Sequence, residues 1–389
     1  MTGDGAGSPS RLAELKKKRV LIVDDAVVVR RTLSDAIARD PALEVAGIAS
    51  NGRLALAKFP SLKPDIIVLD IEMPEMDGLE TVRQLRKLDK QVPIIMFSTQ
   101  TEHGASATLE AISLGATDYV AKPSQTDMKE TVLTVSQELI PRIHALCQIP
   151  GPAIVSALAL PLMRADQGKP RLLMPPQIIA IGVSTGGPDA LACVIPSLPA
   201  GFPVPVVIAQ HMPPVFTSML AARLSAKSAL PVRECKSGEQ LKPGCVFLAP
   251  GDYHMVVKSE DGVVRLHTHQ GPKENFCRPS VDVLFRSVAQ VFGARALAVV
   301  LTGMGHDGLK GCEVLHGAGA RIVVQDEASS VVWGMPGFVA RAGLADKVLP
   351  LDQIAPDILR STNCKPLENE LSQAARMGIA RAGIAKTSV

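Results

Sequence analysis

Short apolar runs alternate with amphipathic stretches along this chain, and the alternation happens twice, with a proline-rich break between the two sets. The first set of runs is Val20–Val23, Val45–Ile48, Ile66–Leu69, Ile94–Phe97 and Tyr119–Ala121, with helical patterns such as Leu79–Leu88 and Ala105–Leu114 between them. Continuous apolar runs fit strands covered on both faces, and strands alternating with helices argue for a parallel sheet. The second set is Ile178–Ile181, Val204–Ala209, Cys245–Ala249, Leu297–Leu301 and Arg321–Val324, with amphipathic Phe216–Leu224 and Val281–Val291. Prolines at 141, 150, 152, 161, 170, 175 and 176 interrupt the rhythm. The pattern predicts an α/β chain with one domain at 19–136, an unusually apolar linker with a helical piece at 137–176, and a second doubly wound domain at 177–362. Residues 1–18, rich in glycine, serine and lysine, are expected to form a disordered extension, and residues 363–389 a loosely structured tail.

A length of 389 residues accommodates two or three domains with cores of their own. The net charge of +3 is too small to indicate nucleic-acid binding. The one basic run, Lys16–Arg19, leads directly into a strand pattern and reads as a solvated strand entry. Seven scattered cysteines with no C-x-x-C pair fit free thiols in a reducing, cytoplasmic setting. No signal peptide or membrane span is evident, since the apolar stretch Ala153–Met163 is too short to cross a bilayer and contains Pro161. Membrane insertion is therefore not expected.

In the first domain Asp24 and Asp25 follow the first strand and Asp70 follows the third. With strand order 2-1-3-4-5 those two strands flank the switch point, so three carboxylates converge on one crevice. Like charges so placed call for a cation, and oxygen-only ligation suits Mg²⁺. Ser98 ends the fourth strand and Lys122 follows the fifth, completing a phosphate-binding set with Asp70 placed as acyl-phosphate acceptor. For any one aspartate, helix capping is the plainer reading; the complementary groups at four strand ends favour the site.

The segments VLIVDDA, IIVLDIEMPEMDG, IIMFST and DYVAKP make residues 19–136 resemble a response-regulator receiver domain, a flavodoxin-like fold. The resemblance implies phosphorylation at Asp70, Mg²⁺ held by Asp24, Asp25, Asp70 and the Glu72 carbonyl, and phosphoryl contacts from Ser98 and Lys122. Ala26, where many relatives carry a hydroxyl or an acid, is a mild departure.

In the second domain Gly182-Val183-Ser184-Thr185-Gly186 fits the G-x-S-x-G turn that lifts a serine hydroxyl above a sheet. The helix after it is expected to start at Pro188 with Gly187 as its N-cap. A nucleophilic serine needs a base and an orienting acid. His211 follows the second strand of this domain and Asp307 the strand LAVVL, so both leave the same sheet edge as Ser184. His254, Asp252, Asp326 and His306 are rivals for these roles, and Asp307 has a plain alternative as cap of the helix beginning at Gly308. Asp282 reads as a first-turn acid of a helix capped by Ser280. His267-x-His269 has no evident third metal ligand and reads as surface strand. A dinucleotide site needs glycine where Ser184 stands and an acid where Gln210-His211 stand, which disfavours it.

IGVSTGGP, AQHMPP, APGDYHM, RPSVDVLF, LTGMGHDG and VWGMPG together make residues 178–337 similar to the catalytic domain of the chemotaxis protein-glutamate methylesterases, which also stand behind a receiver. The resemblance implies Ser184 as nucleophile, His211 as base, Asp307 as orienting acid, and oxyanion stabilisation by Thr185 and the Met304 amide. It further implies hydrolysis of glutamate methyl esters and deamidation of glutamines in chemoreceptors, control by a chemotaxis histidine kinase, and no cofactor in the catalytic domain. The competing class is a receiver whose second domain only binds a partner or DNA; the DNA version lacks a helix-turn-helix with a basic face.

Overall fold

The structure, a computed structural model, describes residues 16–122, 132–149 and 174–364, and the chain divides into two compact units between Pro152 and Ala153. Most of the expected N-terminal extension, linker and C-terminal tail lies outside the described residues.

In the first unit β1 (Lys18–Val23), β2 (Leu43–Ala49), β3 (Ile66–Asp70), β4 (Ile94–Ser98) and β5 (Asp118–Ala121) form one parallel sheet in the order β2-β1-β3-β4-β5. Every residue of β3, β4 and β5 is buried, as continuous apolar runs require of strands covered on both faces. The helices are α1 (Val27–Arg39), α2 (Gly52–Leu62), α3 (Gly78–Leu88) and α4 (Glu102–Ser113). Side-chain caps start three of them: Asn51 accepts from the Leu54 amide, Asp77 from Glu80 and Thr101 from Gly104.

One boundary differs from expectation. A π-helical turn, Val135–Leu139, runs into α5 (Ile140–Leu146), and Val135, Leu139, Ile143 and Cys147 are buried in the same cluster as Val20, Ile22 and Phe97. This apolar stripe at four-residue spacing keeps residues 135–149 in the first unit, past the limit at 136. Pro141 does not prevent it, because it stands where the π-helical turn passes into α5, at a point where the regular i→i−4 ladder is already interrupted.

The second unit carries a seven-stranded parallel sheet. Its strands are β6 (Ile178–Val183), β7 (Val206–Gln210), β8 (Val232–Glu234), β10 (Val246–Leu248), β13 (Ala296–Val300), β14 (Arg321–Gln325) and β15 (Lys347–Leu349), in the order β15-β14-β13-β6-β7-β10-β8. The helices are α6 (Gly187–Val194), α7 (Phe216–Lys227), α8 (Val281–Phe292), α9 (Leu309–Gly317), α10 (Met335–Arg341) and α11 (Leu351–Ser361). The chain moves to one side of β6 through β7 and to the other through β13, so β6 is where the winding direction changes. Ligands of open α/β sheets collect outside the carboxyl ends at such a point.

The strand–helix alternation does not predict the separate antiparallel sheet of β11 (His254–Glu260), β12 (Val263–His269) and short β9 (Glu239–Gln240). Its local signal is Asp261-Gly262, both with left-handed φ (50° and 78°), as a two-residue hairpin turn requires. Among the described residues no helix is long and apolar enough to cross a membrane.

Candidate active site

Ser184 leaves β6 half-buried, and its backbone is fixed on both sides. Its amide donates to the Thr302 carbonyl (3.0 Å), while its own carbonyl accepts from the Gly187 amide (2.8 Å) and from Gln210 Nε2 (3.0 Å). The helix begins one residue earlier than the proline suggested: α6 starts at Gly187, and Gly186, at φ 75°, is its N-cap. A side chain at Gly186 would be strained by that φ and would also strike Val331. Gly303, across the crevice, has no room for a Cβ, which would fall 2.4 Å from Met335 Sδ and 2.9 Å from Ser184 Cβ. The β13–α9 loop therefore presses directly against the serine. Thr185 is buried beside it with its carbonyl held by Thr302 Oγ1 (2.9 Å), and Met304 is half-buried in that loop.

His211 follows β7, its amide donating to the Val183 carbonyl at 3.2 Å. Its Nε2 meets Asp307 Oδ2 at 2.7 Å, and Cys277 Sγ lies 3.5 Å from its Nδ1. Burial works against a charged imidazole, but the Cys277 sulfur on one side and Asp307 on the other outweigh it and raise the His211 pKa. Asp307 is 2% exposed and accepts from His211 Nε2, Asn275 Nδ2, Ser280 Oγ and the amides of Val281, Asp282 and Gly308. Burial favours its neutral form, yet the bond and charge of His211 and the backbone amides win and hold the carboxyl well below its usual range. Ser184 and His211 thus share the sheet edge, but no hydrogen bond joins their side chains among the described residues; the sulfur of Cys277 occupies the neighbourhood of Nδ1.

In the first unit Asp70, at the end of β3, lies 2.8 Å from Lys122 Nζ, which also bonds Asp24 Oδ2 at 2.9 Å. Asp24, Asp25 and Asp70 offer oxygens all within 4.8 Å of one another. Burial, with help from the Asp24 charge and against Lys122, pushes the Asp70 carboxyl up to about 6. Ser98 Oγ donates to the Gly104 carbonyl (3.2 Å), and the Glu72 side chain is exposed in the β3–α3 loop. Three carboxylates close together, only two of them sharing the one ammonium of Lys122, fit a small divalent cation such as Mg²⁺, which these carboxylates would hold.

Residues 179–358 match the family model for the CheB methylesterase and residues 20–133 that for the response regulator receiver domain. The protein-glutamate methylesterase/protein-glutamine glutaminase of Trichodesmium erythraeum is 49% identical over 350 residues, covering 89% of this chain and 99% of that one. That of a Nocardioides species is 48% identical over 347 residues, 88% of this chain and 94% of that one. The chain belongs to this methylesterase/glutaminase family. Among solved structures, the CheB methylesterase catalytic domain of Thermotoga maritima is 42% identical, covers 48% of this chain and 99% of that one, and has a TM-score of 0.47.

The other candidate residues in this member of the family have different occupations. His254 accepts the Ser280 amide at Nδ1 (3.2 Å) and approaches the Pro272 carbonyl through Nε2 (2.9 Å), which fixes it as one neutral tautomer in the core. Asp252 is paired with Arg278, Asp326 accepts from Ser329, and His306 packs edge-on against Phe338. His267 pairs with Glu260 (3.0 Å), and neither it nor His269 joins a group of potential metal ligands among the described residues.

The capping assignments shift. Ser280 stands at the N-cap of α8 but makes no side-chain cap; its hydroxyl donates to Asp307. Asp307 itself caps that helix through the Val281 and Asp282 amides, besides accepting from Gly308 ahead of α9. Asp282 is the first-turn acid of α8, as expected, but it is fully buried: it accepts from the Gly311 amide (2.6 Å) and Asn275 Nδ2 (2.8 Å), and is pushed up to about 6 by burial and then by Asp307. Sequence reasoning passed over Asn275 and Cys277. Their only sequence signal is proximity to the RPSVDVLF motif. They reach the site because Asn275 and Phe276 are both left-handed (φ 52° and 63°), turning Phe276 out, at 96% exposed, while its two neighbours face inward.

Proposed function

We propose that this chain hydrolyses methyl esters of glutamate side chains in chemoreceptors, releasing methanol, and deamidates receptor glutamines, in the cytoplasm and under the control of phosphorylation at Asp70. The observation that carries the reading is the 2.7 Å contact between His211 Nε2 and Asp307, which follow the two strands flanking the one that leads to Ser184.

With Nε2 engaged by Asp307, Nδ1 is the nitrogen left to act as base. Ser184 Oγ attacks the ester carbonyl carbon as its proton passes to His211 Nδ1. Thr185 and the Met304 amide, beside Ser184 and in the loop that presses on it, are the donors proposed for the developing oxyanion, each such donor contributing about 3–4 kcal/mol. The tetrahedral adduct collapses, and methanol departs with the proton from Nδ1. Water then attacks the acyl-serine, giving its proton to Nδ1, and the serine is restored as the glutamate leaves. A primary amide follows the same course with ammonia as leaving group. Asp307 holds the tautomer of His211 and stabilises its cation.

In the first unit Asp70 accepts the phosphoryl group of a chemotaxis histidine kinase, with Lys122 and Ser98 contacting it. When bound, Mg²⁺ would offset the negative charge of the carboxylates and the phosphoryl oxygens. Methanol release from methylated receptor fragments tests the whole reading. Ser184→Ala should abolish it while the fold persists. Because Cys277 also touches Nδ1, a thiol nucleophile is the second reading; it requires Cys277→Ala to abolish release and Ser184→Ala to spare it.

A further inference from the structure

Nδ1 of His211, the nitrogen that the proposed reaction uses, faces a thiol that the reaction does not use. The distance and the surroundings have a chemical meaning of their own. A tetrahedral Zn²⁺ with a sulfur ligand at about 2.3 Å and an imidazole nitrogen at about 2.0–2.1 Å sets those two atoms about 3.5 Å apart. Cys277 Sγ and His211 Nδ1 are 3.5 Å apart. A zinc-bound imidazole normally gives its other N–H to a carboxylate, which fixes the ring. Here Nε2 meets Asp307 at 2.7 Å, and Asp307 is anchored by five further donors. The His211 side chain is 11% exposed and Cys277 is half-buried, so an ion has a way in and water can complete its coordination.

We propose that His211 Nδ1 and Cys277 Sγ form an inhibitory site for a thiophilic divalent cation of the Zn²⁺ class. Binding releases the thiol proton to solvent, joins thiolate and imidazole lone pair to the metal, and leaves no base for Ser184. The inhibition rests on the role of His211 proposed above; the metal site does not. Ligand chemistry separates it from the acidic pocket of the first unit: thiolate and imidazole select zinc, whereas carboxylates there favour magnesium.

The test uses the full chain with Mg²⁺ in excess, so that the carboxylate pocket is filled, and Co²⁺ as a spectroscopic substitute for Zn²⁺. Thiolate-to-cobalt absorption should develop stoichiometrically in the wild type and in Ser184→Ala, and Zn²⁺ should displace it. Cys277→Ser and Cys277→Ala, which keep the other six cysteines, should lose the band. Their Zn²⁺ affinity should fall by more than the roughly 10–100-fold that loss of an outer-shell partner causes. In parallel, Zn²⁺ should stop wild-type methanol release, a chelator should restore it, and each Cys277 variant should keep its own zinc-free rate. A cobalt band that survives Cys277→Ser overturns the site, as does the absence of a band in the wild type. A thiolate band without inhibition overturns its placement on the catalytic nitrogen. If Ser184→Ala proves fully active the proposed hydrolysis fails, and the cobalt spectra still decide the metal site.

Discussion

Both units place aspartates outside the carboxyl ends of parallel strands, and they use them in opposite ways. In the first unit Asp24 and Asp70 share the single ammonium of Lys122 while Asp25 stays exposed, so negative charge is in excess and the crevice is built to receive something. In the second unit one carboxylate, Asp307, takes hydrogen bonds from six donors. Nothing is left over for a ligand, and its charge serves to orient one imidazole. The donor count around an aspartate, more than its place in an α/β sheet, decides whether it binds or positions.

The largest effect that bears on this contrast is expected from Ser184→Ala. Loss of a triad nucleophile costs roughly 10⁶-fold in rate when the rest of the site survives. Methanol release from methylated receptor fragments should therefore vanish with circular dichroism unchanged. Retention of more than about a tenth of the wild-type rate would remove Ser184 from the reaction.

Asp307→Asn comes next, at about 10⁴-fold, because an amide favours the wrong tautomer of His211. It also carries a sign. The carboxylate stabilises imidazolium, so in the wild type kcat/KM rises as pH climbs through the raised His211 pKa. Without that charge the pKa falls and the acidic limb of the profile should move to lower pH. A limb that stays in place would transfer the control of His211 to Cys277.

The two sites differ in the same way in how plainly the sequence announces them. In the first unit each group stands within two residues of a strand end, as Asp24, Asp70, Ser98 and Lys122 do, so reading strands also reads the pocket. Ser184 and His211 are legible for the same reason. Asp307 is harder, since it lies seven residues beyond β13 and is held by a distant segment, Asn275–Asp282. That segment returns to the site through two left-handed residues, a backbone event with no periodic signature. A parallel strand–helix alternation has no place for the antiparallel hairpin of β11 and β12, whose local mark is the Asp261-Gly262 turn.

Phosphorylation tests the charge-rich side of the comparison. Phosphodonor and Mg²⁺ should raise the esterase rate of the wild type and leave Asp70→Asn at its basal rate. Each tenfold of activation corresponds to about 1.4 kcal/mol of bias between two states of the molecule. Chelating Mg²⁺ should likewise hold the wild type at the basal rate. Activation that persists in Asp70→Asn would separate the acidic pocket from control of the hydrolase.

The smallest effect probes the redundancy of the donor-rich side. Asn275 Nδ2 donates to both Asp282 and Asp307 at 2.8 Å, bridging two buried carboxylates. Asn275→Ala leaves Asp307 with five donors and Asp282 with the Gly311 amide, so the loss is partial. A buried group deprived of one partner typically costs about 1–3 kcal/mol, and with the remaining bonds sharing the load the lower end applies. The expected outcome is a fall in kcat of about fivefold with KM unchanged, because Asn275 acts through Asp307 and does not touch substrate. The pH profile adds a second readout: Asp307, still ionised, keeps the limb of His211 near its wild-type position, unlike in Asp307→Asn. Restoring a donor with Asn275→Ser should recover part of the rate. A KM effect would place Asn275 in the substrate crevice instead, and a loss as large as that of Asp307→Asn would mean that the donors around Asp307 act as a unit, with no redundancy among them.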